Sequence, residues 1–221
     1  SEFYLTTDEF IHSPSMKTFR DELILLKGSR AFHFERITEL LEKKVHETVL
    51  EVNLDAVVHN FNHFRSKLHR DTKMVCMVKA FGYGAGSYEV AKTLQEHRCD
   101  YLAVAVADEG EALRKEGISI PIIVMDPEFS SFNVLFERQL EPEVYSFRLL
   151  DALMKEAGRR GITSYPIHIK IDTGMHRLGF RPSDVREICQ RLEQQSSLVV
   201  RSVFSHLVGS DSPEHDEFTR G

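Results

Sequence analysis

The stretch MVCMVKAFGYGAGSYEVAKTLQEHRCDYLAVAVA, residues 74–107, contains a strand, a glycine-rich turn, a helix and a second strand. MVCMVKA is a short continuous apolar run, SYEVAKTLQEH has helical spacing, and YLAVAVA is apolar again. Working outward, DEGEALRKEG reads as a helix closed by glycine and PIIVMD (121–126) as a strand. Residues 132–138 read as a helix, EPEVYS (141–146) as a strand and FRLLDALMKEAGRRG as a helix. IHIKID (167–172), the helix PSDVREICQRLEQQ and the strand VVRSVFSHL (199–207) complete the series. Strands and helices that alternate in this way predict repeated βα units and a parallel sheet. Nearly unbroken apolar strands predict a sheet covered on both faces or a filled barrel. The α/β class follows. Six strands fit either an open doubly wound sheet or about six strands of the eight in a (β/α)8 TIM barrel, and periodicity alone leaves both open.

On the N-terminal side, Glu47 to Asn53 alternates in the manner of a strand. Asp55 is placed to cap a helix whose apolar stripe is Val57, Phe61, Phe64 and Leu68. Further back, Thr6 and Glu9 form a capping-box pattern, and Pro14 should end the helix it starts. DELILLKG (21–28) reads as a short buried strand, and Phe34, Ile37, Leu40 and Leu41 recur at helical spacing. This β-α piece is too small to hold a core alone. The chain therefore divides into residues 1–44 and residues 45–221.

The chain has 221 residues, 42% of them hydrophobic and 28% charged, with a net charge of -6 and a pI near 6.0. A mildly acidic chain is a poor nucleic-acid binder, since that function needs a basic face. No apolar run reaches the length of about 18 residues that a membrane span requires. The start, SEFYLTTDEF, lacks a secretory pattern, and Ser1 in place of methionine suggests a processed chain or a piece of a longer one. Cys76, Cys99 and Cys189 are scattered, which argues against a disulfide framework or a zinc site and fits small buried hydrophobes. The expected address is the cytoplasm.

In either architecture, reactive groups belong at the C-terminal ends of strands. Those ends carry Lys79 and Tyr83, then Lys170, Asp172 and Arg177, then Ser205 and His206. Carboxylates are expected to be few there, so a two-carboxylate glycosidase reading is weak. Lys79 is either a lysine snorkelling from a strand end or, desolvated beside other cations, a nucleophile on a carbonyl. Gly82, Gly84 and Gly86 form a GxGxG turn, neither a dinucleotide fingerprint nor a phosphate loop, and can serve simply as a turn or as an anion site. Lys170 inside an apolar strand needs an explanation. Arg177 fits a solvated loop equally well, and His206 a satisfied core histidine. Together, these groups suggest a phosphate-bearing carbonyl cofactor.

VKAFGYGAG (78–86) resembles the alanine racemase motif V-K-A-N-A-Y-G-H-G, KIDTGMHRLGF (170–180) resembles that family's K-x-D-T-G-M-x-R-x-G, and VFSHLVGSD (203–211) resembles a third motif in which serine or threonine precedes histidine. Phe81, Gly82 and Ala85 depart from the pattern at positions that carry no chemistry. The resemblance implies that Lys79 carries pyridoxal phosphate and acts as a catalytic base. Tyr83 would help hold the phosphate, Arg177 would sit near the cofactor's phenolic oxygen and the substrate carboxylate, and His206 would stack on the pyridine ring. It makes Lys170 a candidate for carbamylation. The implied reaction interconverts L- and D-alanine for peptidoglycan synthesis, in a homodimer whose second base lies in a C-terminal domain. FRDELILLKGSRAFHFERI (19–37) resembles the end of the ATP- and magnesium-dependent ligase that adds D-alanyl-D-alanine to the UDP-muramoyl tripeptide. The chain then reads as a slice across a ligase–racemase fusion, inactive alone. The alternative is a non-catalytic, single-barrel pyridoxal-phosphate carrier.

Overall fold

The computed structural model describes residues 2–19, 22–28, 32–41 and 51–220. It divides into two compact units, Ser1–Leu50 and Glu51–Gly221. The sequence boundary after residue 44, and most of the strand read over 47–53, lie outside the described residues.

In the first unit, α1 (Thr7–Ile11) starts as its capping residues dictate. The Thr6 hydroxyl accepts from Glu9 N–H at 3.1 Å, and the Glu9 carboxylate reaches back to Leu5 N–H at 2.8 Å. Pro14 opens a short 3₁₀ turn, Pro14–Lys17. α2 (Glu35–Leu41) buries Ile37 but leaves Leu40 exposed. The strand expected at DELILLKG does not form: residues 22–28 have no regular structure, and Leu23 and Leu25 stand in solvent. An apolar run without a pairing partner has nowhere to place its backbone hydrogen bonds.

The second unit begins with α3 (Leu54–Ser66). Its cap is Asn53 rather than Asp55: the Asn53 side chain accepts from Ala56 N–H at 3.0 Å. Of the expected stripe, Phe61 is buried and Val57 half-buried, whereas Phe64 and Leu68 are exposed. The βα series follows. β1 (Val75–Met77), the short turn α4 (Lys79–Tyr83) and α5 (Ser87–Glu96) lead to β2 (Tyr101–Val104) and α6 (Ala107–Lys115). β3 (Ile122–Val124), α7 (Phe132–Glu137), β4 (Glu141–Val144), α8 (Phe147–Arg159), β5 (Tyr165–Lys170), α9 (Val185–Glu193), β6 (Leu198–Phe204) and α10 (Asp216–Arg220) complete it.

All six strands are parallel and lie in chain order, β1 to β6. A doubly wound sheet reverses direction at a switch point. A sheet that never reverses is the order of a βα barrel, and the partial barrel is the reading that holds.

Register assigns the two faces. Leu102, Val104, Ile122, Val124, Val144, Ile167 and Ile169 form the row that packs on the helices, all buried. Each such side chain stabilises the fold by about 1.5–3 kcal/mol. α8 returns Leu149, Leu150 and Leu153 to that layer, and its Ser146 cap accepts from Leu149 N–H. The opposite row is mixed. Val75, Tyr101, Met77, Ala103, Ile123, Glu141, Glu143 and His168 face the barrel interior through partners Val75↔Tyr101, Met77↔Ala103, Ala103↔Ile123, Ile123↔Glu141 and Glu143↔His168. A bulge past Ile167 pairs His168 with Ser202 and Lys170 with Phe204, which keeps the interior row continuous onto β6. The His168 ring bridges Ser202 Oγ at 2.7 Å and Glu141 Oε2 at 2.8 Å.

All three cysteines are free. Only Cys99 is buried; Cys76 is half-buried and Cys189 is exposed, on the side of α9 that faces solvent rather than in the core.

Candidate active site

The end of β1 changes hand. After Val78, the backbone of Ala80, Phe81, Gly82 and Tyr83 has φ between 53° and 63°, the left-handed region, and Gly84 and Gly86 follow at 87°. Such values cost an L-residue about 1–2 kcal/mol each, and strain of this kind clusters at functional sites. α4 is therefore one left-handed turn, closed by Gly86 N–H donating to Phe81 O at 3.0 Å. At Gly82 a Cβ would lie 3.2 Å from the Ser87 backbone, so the turn packs closely on the start of α5. Glu109, at the start of α6, pins the turn. Its Oε1 accepts from Ala80 N–H at 2.6 Å and its Oε2 from Ala105 N–H at 2.7 Å. The ends of β1 and β2 are thus tied by one carboxylate, and Lys79 lies between the strand and the tie.

After β5 the chain makes a second device. Asp172 Oδ1 accepts from Gly174 N–H and His176 N–H, both at 3.0 Å, and Oδ2 lies 3.2 Å from the His176 ring. The backbone N–H of Gly174, then that of His176, holds the Asp172 carboxyl below its usual range. The loop then folds back along β5, with Asp172 N–H donating to Phe180 O at 2.8 Å and Phe180 N–H to Lys170 O at 2.9 Å. Gly179 permits this return, since a Cβ there would sit 2.5 Å from Asp172 N. Arg177 projects from the loop between these anchors. The Thr173 and Ser205 hydroxyls, 2.5 Å apart, join this loop to the end of β6.

These strand ends enclose a cavity of about 450 Å³ whose lining includes Lys79, Tyr83, Lys170, Arg177 and His206. Asp172 and Ser205 line it too, so all seven strand-end residues singled out in the sequence meet there. Lys79 is half-buried; Tyr83, Arg177 and His206 are exposed at the mouth, so His206 is not a core histidine. Lys170 is buried, with its Nζ 4.5 Å from the centre of the Phe204 ring.

The expectation of few carboxylates at this rim is wrong: Asp126, Glu143 and Asp172 also line the cavity. Glu143 is only 2% exposed, and its Oε2 is buried without a hydrogen-bond partner. Burial pushes its carboxyl up to about 7, against the lowering pull of Lys170 and then Arg177. The rule that drew attention to Lys170, a charge inside a strand, applies equally to Glu143 in EPEVYS, which sequence reasoning passed over. Among the described residues, no group of three or more His, Cys, Asp or Glu is arranged to hold a metal ion.

Residues 52–221 match the family described as alanine racemase, N-terminal domain. Alanine racemase 2 of Caldanaerobacter subterraneus is 35% identical over 177 residues, covering 78% of this chain and 45% of that protein. The alanine racemase of Thermodesulfovibrio yellowstonii is 37% identical over 169 residues, 74% of this chain and 45% of that protein. Among solved structures, alanine racemase of Clostridium difficile in complex with cycloserine superposes with a TM-score of 0.71 at 31% identity, covering 79% of this chain and 50% of that one. Alanine racemase from Bacillus anthracis with bound L-Ala-P gives a TM-score of 0.69 at 29% identity, covering 76% and 44%. The chain spans about half the length of the relatives it matches. The left-handed lysine turn, the DTGMHR loop and the strand-ordered sheet thus sit in a chain that belongs to the alanine racemase family, through that family's N-terminal domain.

Proposed function

We propose that this chain forms the pyridoxal-phosphate-binding barrel of an alanine racemase that interconverts L- and D-alanine for peptidoglycan synthesis. The observation that carries this reading is the convergence of Lys79, Tyr83, Lys170, Arg177 and His206 on one cavity at the C-terminal ends of the strands. Its donor set fits the cofactor: an amine for the aldehyde carbon, a phenol at the rim for the phosphate, and an imidazole for the ring. Its volume of about 450 Å³ suits a small-molecule site.

Bound there, pyridoxal phosphate supplies the electron sink that makes the Cα proton of an amino acid removable. The chain's own residues do the rest. Arg177, on a loop fixed at both ends, offers a planar pair of donors to the substrate carboxylate. That contact presents Cα to the Lys79 amine, which takes or returns the proton on its own face. Glu109 keeps that amine at a constant height by holding the turn behind it. Inversion needs a second base on the opposite face; we assign it to a C-terminal domain and a homodimeric partner.

Residues 1–44 are assigned, on the resemblance of FRDELILLKGSRAFHFERI alone, to the end of a ligase domain that would use ATP and magnesium. The reading frame upstream of residue 1 decides that assignment. The racemase reading is tested on the full-length protein loaded with pyridoxal phosphate. Lys79→Ala should abolish the visible absorbance of the lysine-bound cofactor and lower alanine racemisation by about 10²–10⁴-fold. Retention of both by the variant would overturn it. A bound cofactor with no turnover of either alanine enantiomer by the wild type would favour a non-catalytic carrier.

A further inference from the structure

One imidazole joins β4, β5 and β6 inside the barrel. His168 of β5 is 2% exposed, and its ring lies 2.8 Å from Glu141 Oε2 on β4 and 2.7 Å from Ser202 Oγ on β6. Tyr101 of β2 packs edge-on against that ring, with centroids 5.8 Å apart. The bridge stands at the register shift between β5 and β6. Ile167 pairs with Val200, the next pair is His168 with Ser202, and Arg201 is the extra residue. We propose that the Glu141–His168–Ser202 bridge locks this bulge, and that His168 and Ser202 are thereby positioning residues that turn Phe204 and His206 toward the cavity.

Side chains alternate along a strand, so the parity of β6 decides which of its residues face inward. Before the bulge the inward residue is Val199, opposite Pro166. After it the inward residues are Ser202 and Phe204, opposite His168 and Lys170. Uninterrupted pairing would keep the odd-numbered residues inward. It would set the cationic Arg201 against buried His168 and put Val203 opposite Lys170. The Phe204 ring, whose centre lies 4.5 Å from Lys170 Nζ, would turn away. His206, which lines the cavity, shares the parity of Phe204. The bridge selects the observed register by its chemistry. A carboxylate only accepts, so Glu141 takes the Nε2 hydrogen and Nδ1 is left to accept from the Ser202 hydroxyl. An imidazole buried this deeply needs both partners. Serine offers a short neutral donor at the required distance, where arginine would bring a charge on a long stem. The register argument stands on the strands alone; that it serves a cofactor through Lys170 and His206 rests on the racemase reading.

The test uses the full-length protein without cofactor and reads amide hydrogen exchange over residues 201–206 by mass spectrometry. Ser202→Ala leaves Nδ1 without a donor and should speed exchange there by about tenfold or more, the factor for one lost partner of a buried polar group. Its pyridoxal-phosphate affinity, titrated separately, should fall by a similar factor. Ser202→Thr keeps the hydroxyl and should hold both at the wild-type level. Deleting Arg201 removes the bulge yet keeps every other pair and the inward parity. Ser202→Ala combined with that deletion should therefore exchange slowly and bind cofactor like the wild type. Wild-type exchange in Ser202→Ala overturns the proposal. So does faster exchange that also occurs in Ser202→Thr, or that leaves cofactor affinity unchanged. A folded double variant that shows the full loss of Ser202→Ala overturns it as well; if the double variant does not fold, the contrast between Ser202→Ala and Ser202→Thr decides. Exchange is read without cofactor, so failure of Lys79→Ala to change the cofactor spectrum would sink the racemase reading and leave the register lock standing.

Discussion

A carboxyl group that titrates at about 7 in the folded chain, against 4.5 ordinarily, binds its proton more tightly folded than unfolded. Glu143 therefore contributes stability that is fully present below pH 4.5 and is lost as pH rises through about 7. The shift corresponds to a loss on the order of 3 kcal/mol. Denaturant melts across that window should show the wild type losing stability relative to Glu143→Gln as pH rises. A constant difference between the two proteins would show that the carboxyl titrates normally. The same residue marks how far single side chains are legible. Lys79, Tyr83, Lys170, Arg177 and His206 were visible because strand ends are where a βα fold places reactive groups. Glu143 was passed over because the two glutamates of EPEV look alike in sequence, while a side chain's isolation depends on what packs around it and not on its neighbours in sequence. Cys189 was misplaced for a related reason: helical spacing gives a stripe, and the cysteine lies beside buried Ile188 but outside that stripe.

At the scale of elements, the left-handed turn after β1 is the least ordinary piece of backbone. Ala80, Phe81 and Tyr83 lack the freedom of glycine, yet adopt φ of 53°, 56° and 58°. Backbone hydrogen bonds within the turn hold them there, and Glu109 ties Ala80 N–H to Ala105 N–H at the end of β2. Glu109→Ala should destabilise the protein by about 2–3 kcal/mol, because hydrogen bonds to a charged acceptor are lost. It should also weaken pyridoxal-phosphate binding, because the turn behind Lys79 is released. Denaturant melts and cofactor titration measure the two effects; a variant with unchanged melting and unchanged cofactor affinity would remove Glu109 from this role. Sequence pattern located all six strands of the sheet, most of them from apolar runs that a covered sheet requires. It could not show the reversal of hand at residue 80, because the alternation of apolar residues is blind to the sign of φ. It failed at DELILLKG, where the residues look like a strand but Leu23 and Leu25 find no neighbour among the described residues. It also overextended the stripe of α3 to Phe64 and Leu68, which are exposed, while the last turn is held by Arg65 on Arg98 O and Asp100.

For the whole molecule, strand order decides what the chain can do. Six parallel strands in sequence form an arc with β1 and β6 at its two edges among the described residues. The cavity is walled by those strand ends, and the chain spans about half the length of its relatives. The isolated 221 residues should bind pyridoxal phosphate weakly and racemise alanine at no measurable rate; turnover comparable to a complete racemase, in a coupled assay for D-alanine, would refute this. β6 is also bare on one side, with Val203 of its outward row 63% exposed. In the same row Leu198 is buried and Val200 half-buried, so the cover on β6 thins only toward its C-terminal end. A charged side chain should therefore be tolerated at Val203, where it keeps its hydration shell, and rejected at Leu198, which is 6% exposed.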